Sequence, residues 1–407
     1  MNSSADETRA PLDSSSPIDE GGAGAVGVGK RSGRPWRLVG RRELLAIAVG
    51  LAMGAVLFVV PMPYVVDSPG PTFDVAGSYR GTPLLSVAGA DPRTGRPVET
   101  DEVHEKGDGK GELRMVTVSE AGGPGARLSL VRLVGALFDS KAKITPYSQV
   151  YPDSATKEQI ETAQSSMMRS SQRTSEVAAL ESLGWTVPAT VTIRGATSDS
   201  SAGDLVKDGD VLKSATLEDG SVHPIDSAST VFALVKTLPV GSRVRLAVTR
   251  DGKEVEIPVT TISGGEGAKG SRLGLYLDVA AKLPVDVSFN LESVGGPSAG
   301  LMFSLGIIDR LTPGPLTGGA VVAGTGTMSY DGEVGAIGGI VQKMNGAKRD
   351  GAQWFLAPAS NCAQIVGNKP QGLRVVAVTT LDEARRALDA IASGEADSLP
   401  TCEAATK

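Results

Sequence analysis

The stretch GGPSAG at residues 295–300 decides how this chain is read, because it sets Ser298 between glycines at the entrance of an apolar helical pattern. Gly296-Pro297-Ser298-Ala299-Gly300 satisfies G-x-S-x-G, a strand-to-helix elbow that presents a nucleophilic serine, normally served by a histidine further along the chain. The chain holds two histidines, His104 and His223, and both precede Ser298. Ser298 is therefore either a helix-capping serine without chemistry or a nucleophile whose base is not an imidazole.

The surrounding sequence builds alternating elements. GPSAGLMFSLGIIDRL predicts a helix with Leu301, Leu305 and Ile308 on one face, and GGAVVAGTGTMSYDGEVGAIGG predicts two strands joined at Asp331-Gly332. IVQKMNGAKRDG follows as a helix closed by Gly351, then WFLAP as a buried strand, LRVVAVTTL as another and LDEARRALDAIAS as a last helix. Free amides and the dipole at the helix start beside Ser298 favour an alkoxide or an oxyanion, and they suit a capping serine equally. Lysine is a base when neutral, and burial promotes the neutral form. Lys343 is the candidate, since the apolar, glycine-rich IGGIVQ before it can bury its stem, although a helical lysine is ordinarily a solvated surface residue.

Upstream, residues 185–262 change to short β runs, with TRDGKE carrying an Asp-Gly hairpin signal and STVFALVKTL a short amphipathic helix between runs. SSAGDLVKDGDVL, this helix and VRLAVTRDGKEVEI resemble in order a PDZ domain of the bacterial type, with Ser201 where that family's motif has proline. Such a domain binds an extended peptide by strand addition; a small β domain acting as a spacer is the plainer alternative. His223 reads as a surface residue in a polar turn. Residues 67–184 read as a β-rich region plus a long helix over 153–183, with Ile160, Met167, Val177, Leu180 and Leu183 as its apolar stripe and Gly184 as its stop. His104 lies in a polar loop without the neighbours a metal site needs.

Hydrophobic residues at 41% and charged residues at 21% of 407 suit several packed domains, and a net charge of -6 gives no nucleic-acid footprint. Aromatics at 4% disfavour base-stacking surfaces. The amino-terminal residues 1–43 read as a disordered tail ending in the basic KRSGRPWRLVGRR. Residues 44–66 carry no charge and, if helical, rise roughly 34 Å, so the expectation is a single transmembrane helix. The basic flank places the amino terminus in the cytoplasm and the catalytic domain outside the cytoplasmic membrane. GAVGVGKR nearly matches a phosphate-cradling loop, but Arg31 stands where a serine or threonine should be and no strand precedes it, so no nucleotide site is expected. Cys362 and Cys402 are expected to pair in an oxidising compartment.

GGPSAG, AGTGTM and GEVGAIGGIVQKMNGAKRDGA together resemble the proteolytic domain of Lon proteases over about 120 residues. In that family the serine lies in a GPSAG segment and the lysine follows IGG-x-x-x-K some forty-five residues later, which maps onto Ser298 and Lys343; Thr325 matches the threonine that helps orient the lysine amine. Gly295 departs from the family's acidic residue, the upstream histidines are missing, and so is the ATPase module. With the anchor and the PDZ-like region, the chain is similar to YlbL-type membrane-anchored PDZ/Lon-like serine proteases of bacteria. The fold class expected is α+β multidomain: an N-terminal transmembrane helix, a PDZ domain at 185–264 and a C-terminal Lon-type proteolytic α/β domain at 270–395, with a tail at 396–407. The resemblance implies an ATP-independent Ser-Lys endopeptidase that needs no cofactor or metal, acts on protein or peptide substrates and forms a homo-oligomeric ring. A non-catalytic PDZ adaptor with a degenerate Lon-like body is the rival reading.

Overall fold

The computed structural model describes residues 40–59, 61–98, 109, 111–126, 128–152, 154–264, 270–291 and 294–406. Residues 1–39 of the expected amino-terminal tail, the GAVGVGKR loop within them, and His104 lie outside; Arg41, Arg42 and Glu43, expected in the tail, are helical. Two units separate, Met1–Gly54 and Ala55–Lys407.

The transmembrane expectation is corrected. Among the described residues no helix is long and apolar enough to cross a membrane. The helix Arg41–Val59 opens with Arg41, Arg42 and Glu43, so its uncharged part, 44–59, rises about 24 Å, short of a hydrocarbon core of about 30 Å. Residues 61–66 of the expected span are not helical: Pro61 bridges Ser129, and Val65 and Val66 are buried in a strand, Tyr64–Asp74. Proline lacks an amide donor and β-branched residues favour strands, so Pro61 and Pro63 divide one uncharged run into two kinds of element. The single-pass placement with an extracytoplasmic catalytic domain loses its basis with the helix.

Two sheets organise the larger unit. The first runs Arg374–Val378, Trp354–Pro358, Val321–Gly324, Glu112–Ala121, Tyr64–Asp74 and Lys143–Pro146. Its first four strands are parallel and the last two pair antiparallel. Side chains alternate between its faces. Leu113, Met115, Val322, Leu356 and Val376 join a core with the helix Gly300–Leu311, while Val116, Ala323, Phe355, Val375 and Ala377 join a second core with the helix Ile340–Arg349. The helix carrying Lys343 thus covers the face opposite the helix that follows Ser298. Cys362 and Cys402 are bridged beside the second core.

The second sheet is antiparallel, in the order Lys253–Thr260, Arg243–Arg250, Asp210–Thr216, Ala189–Ala196 and Leu275–Ala281. Asp251 and Gly252 take the two positive-φ positions of the hairpin turn, as the Asp-Gly pair predicts. The helix Thr230–Thr237 also belongs to this region. The long helix Lys157–Ser182 starts with a Thr156–Gln159 capping box and packs along Gly300–Leu311. Its buried stripe uses Met168 rather than the exposed Met167 of the sequence pattern. Ser171 and Ser175 lie in that stripe, because small polar side chains let the two helices approach and bond across the seam.

Candidate active site

Ser298 sits in the turn before Gly300–Leu311, held from three sides. Gln164 and Ser171 of the long helix fix the preceding residues: the Gly296 amide donates to the Gln164 carbonyl at 3.2 Å and Ser171 Oγ donates to the Pro297 carbonyl at 3.0 Å. The helix cap position falls on Ala299, which supplies no side-chain cap, so Ser298 lies one residue outside the capping position. At Gly300 a Cβ would come within 2.8 Å of the Met328 amide nitrogen, so glycine is what lets the helix start against the strand Thr327–Met328.

The third hold is Thr325, which follows the carboxyl end of the parallel strand Val321–Gly324, the end where open parallel sheets place their sites. Thr325 Oγ1 donates to the Ser298 carbonyl at 2.9 Å, and the Gly326 amide donates to the same oxygen at 2.9 Å. From the other face of the sheet, Lys343 Nζ donates to Thr325 Oγ1 at 3.2 Å. Lys343, Thr325 and the backbone of Ser298 therefore form one continuous chain of hydrogen bonds across the sheet's edge.

Lys343 is 3% exposed and Thr325 fully buried. Burial alone pulls the Lys343 ammonium down to a pKa of about 8, since desolvation penalises the charged form. The helix that carries it begins at Gly339, whose φ of +68° and 2.7 Å approach of a built Cβ to Val118 Cγ2 leave room only for glycine. Sequence patterns gave no sign of Asn361, which is 1% exposed and grips the loop before this helix: the Ile337 amide donates to its Oδ1 at 3.0 Å and its Nδ2 donates to the Ile337 carbonyl at 2.9 Å. An isolated asparagine in ASNC has no spacing that announces a partner 24 residues away. His223 stands apart from this cluster, on the strand Val222–Pro224 of the second sheet with Nε2 3.3 Å from Ser221 Oγ. Among the described residues no three His, Cys, Asp or Glu side chains gather as a metal site.

A buried amine with a pKa near neutrality, held by a hydroxyl that also grips the backbone of a half-buried serine, is equipped for proton transfer. Residues 291–389, which contain all three, match the Lon protease (S16) C-terminal proteolytic domain. Lon protease 2 of Bacillus subtilis is 30% identical over 125 residues, 31% of this chain and 20% of that protein. A Lon protease of Xanthomonas oryzae pv. oryzae is 34% identical over 121 residues, covering 28% and 14%, and an archaeal Lon protease of Methanocaldococcus jannaschii 31% over 99 residues, covering 24% and 15%. The chain thus spans a fifth or less of the length of these relatives, and its similarity to the Lon proteolytic domain is confined to its carboxyl-terminal part. A solved PDZ domain of an SdrC-like protein from Listeria monocytogenes aligns with 21% of this chain and 85% of that one at 17% identity, but a TM-score of 0.19 supports no argument about fold.

Proposed function

We propose that this protein is an ATP-independent serine endopeptidase in which Ser298 is the nucleophile, Lys343 the general base and Thr325 the residue that orients the amine. The observation that carries the reading is the buried Lys343, lowered to a pKa of about 8 and bonded to the hydroxyl that holds the Ser298 carbonyl. In the neutral form its lone pair accepts the Ser298 proton as Oγ bonds to the scissile carbon. The ammonium then returns that proton to the leaving amine, and water attacks the acyl-serine with Lys343 again as base. The start of Gly300–Leu311 stabilises the tetrahedral oxyanion through its amides and dipole. Proteins and peptides in extended form are the substrates.

The second sheet supplies substrate capture in the same proposal. Leu275–Ala281 is the last strand of its sheet, and a cavity of about 230 Å³ lies between it and the helix Thr230–Thr237, lined by Val231, Phe232, Val235, Leu273 and Leu275. An extended peptide adding to this strand places apolar side chains in the cavity, the mode of a PDZ domain. The test is digestion of an unfolded protein by the full chain without ATP, compared with Ser298→Ala and read by mass spectrometry. Wild-type products absent from the variant support the proposal. An intact substrate alongside retained peptide binding would leave the non-catalytic adaptor.

A further inference from the structure

The helix Thr230–Thr237 faces two ways. Val231, Phe232 and Val235 line the peptide cavity, while the same helix touches the loop between Thr327–Met328 and Val334–Gly335. The Phe232 ring stacks on Tyr330 with centroids 5.4 Å apart and planes 29° from parallel. One turn on, Lys236 Nζ donates to Asp331 Oδ2 and pairs with Glu333 Oε2 at 2.7 Å, and the Asp331 side chain is only 6% exposed. Phe232 is thus shared between the cavity and the loop.

That loop is braced by its own hydrogen bonds, and it springs from the segment that holds the candidate active site. Ser329 Oγ donates to Asp331 Oδ1 at 2.6 Å and accepts from the Glu333 amide at 2.9 Å, so a push on Asp331 is carried by the whole turn. The strand that leads into it begins two residues after Thr325, and its Met328 abuts Gly300 at the start of the serine helix. Gly326, between them, donates to the Ser298 carbonyl at 2.9 Å and accepts from the Leu301 amide at 3.1 Å. At its other end the groove helix is anchored separately, by the bridge of Ser227 to Pro188 just before it and by Val231, which is buried in the core. Removing Lys236 therefore loosens one fastening and leaves the other.

We propose that Phe232 and Lys236 are positioning residues which couple occupation of the peptide groove to the placement of Ser298, through the turn at Tyr330 to Glu333. The coupling rests on the groove and dyad assignments above. A bound peptide packs against Phe232, steadies the helix, and through Tyr330 and Asp331 steadies the segment 325–328 that holds the serine turn. Capture of one part of a substrate then raises the rate at which another part is cut, beyond the gain from local concentration.

The experiment uses the full chain, a short internally quenched substrate blocked at its carboxyl terminus, and as probe a decapeptide ending Leu-Val-Val with a free carboxylate. Saturating probe is expected to raise wild-type cleavage at least about fivefold, the low end of ordinary coupling between sites. Lys236→Met is expected to bind the probe with affinity within about twofold of wild type by fluorescence anisotropy while losing the rate response, and Lys236→Arg to restore it, since either cation bridges the two carboxylates. Hydrogen exchange across 325–335 should slow on probe binding in wild type and in Ser298→Ala, and not in Lys236→Met. A Lys236→Met protein that responds like wild type overturns the coupling. So does a wild type whose exchange is unaltered by the probe, whether the probe fails to bind or binds without effect. An exchange response in a wild type that cuts nothing upholds the coupling and removes the dyad assignment instead.

Discussion

Burial of Lys343 predicts that replacing it stabilises the fold it disables. Its pKa falls from the ordinary 10.5 to about 8, and each unit is worth about 1.4 kcal/mol, so keeping this ammonium buried at pH 7 costs about 3 kcal/mol. Lys343→Met keeps the length of the stem and removes the charge; it loses the bond to Thr325 Oγ1, worth about 1 kcal/mol, while Thr325 still donates to the Ser298 carbonyl. The variant should be about 2 kcal/mol more stable than wild type at pH 7. The folded pKa lies below the unfolded one, so between pH 8 and about 10.4 the unfolded chain binds more protons and wild-type stability rises with pH. By pH 10 the advantage of Lys343→Met should have closed to about zero. Urea unfolding at pH 7, 8, 9 and 10, followed by the fluorescence of the buried Trp354 with Trp36→Phe and Trp185→Phe in both proteins, reads the difference directly. A Lys343→Met variant less stable than wild type at pH 7, or a gap that does not narrow with pH, would refute the claim that this amine is held near neutrality by desolvation.

The same pKa sets the pH–rate profile: cleavage should climb with a slope of about one log unit per pH unit below about pH 8 and level off above it, with folded Lys343→Arg inactive across the range because guanidinium keeps its proton. Thr325→Val removes the hydroxyl that serves both Lys343 and the Ser298 carbonyl; kcat should drop about 100-fold with KM changed little, and Thr325→Ser should recover most of it in steady-state assays with a quenched peptide. Cys402→Ser opens a bridge whose cysteines are 40 residues apart, and chemical denaturation should show a loss of about 2–4 kcal/mol with the dyad chemistry retained in the folded fraction.

Much of the fold and of the candidate site was legible because the signals are local. The serine turn, the Asp251-Gly252 hairpin, the buried strand Trp354–Pro358 and the helix Leu381–Ser393 each declare themselves within a dozen residues through glycine, capping threonine or apolar runs. The helix entrance and the apolar approach made Ser298 and Lys343 candidates, and the resemblance to the Lon proteolytic domain singled them out and added Thr325. The uncharged run 44–66 misled because an apolar run suits a membrane helix and a buried strand alike. Nothing within it says that Tyr64–Asp74 will pair with Glu112–Ala121 and Lys143–Pro146. Nor does any local pattern join Phe232 and Lys236 to a turn nearly a hundred residues on.

By itself, then, the sequence determined which residues were available for chemistry: one serine at a helix entrance, no histidine after it, and one lysine behind an apolar approach. Only the tertiary structure decided that Thr325 bonds both to the Lys343 amine and to the Ser298 carbonyl. The two helices lie on opposite faces of a sheet whose strands come from both ends of the chain, and they meet at Thr325 because Val321–Gly324 ends there. The pKa of Lys343 is likewise a tertiary property: desolvation depends on every atom that displaces water around Nζ, and those atoms belong to segments that the order of residues along the chain does not bring together.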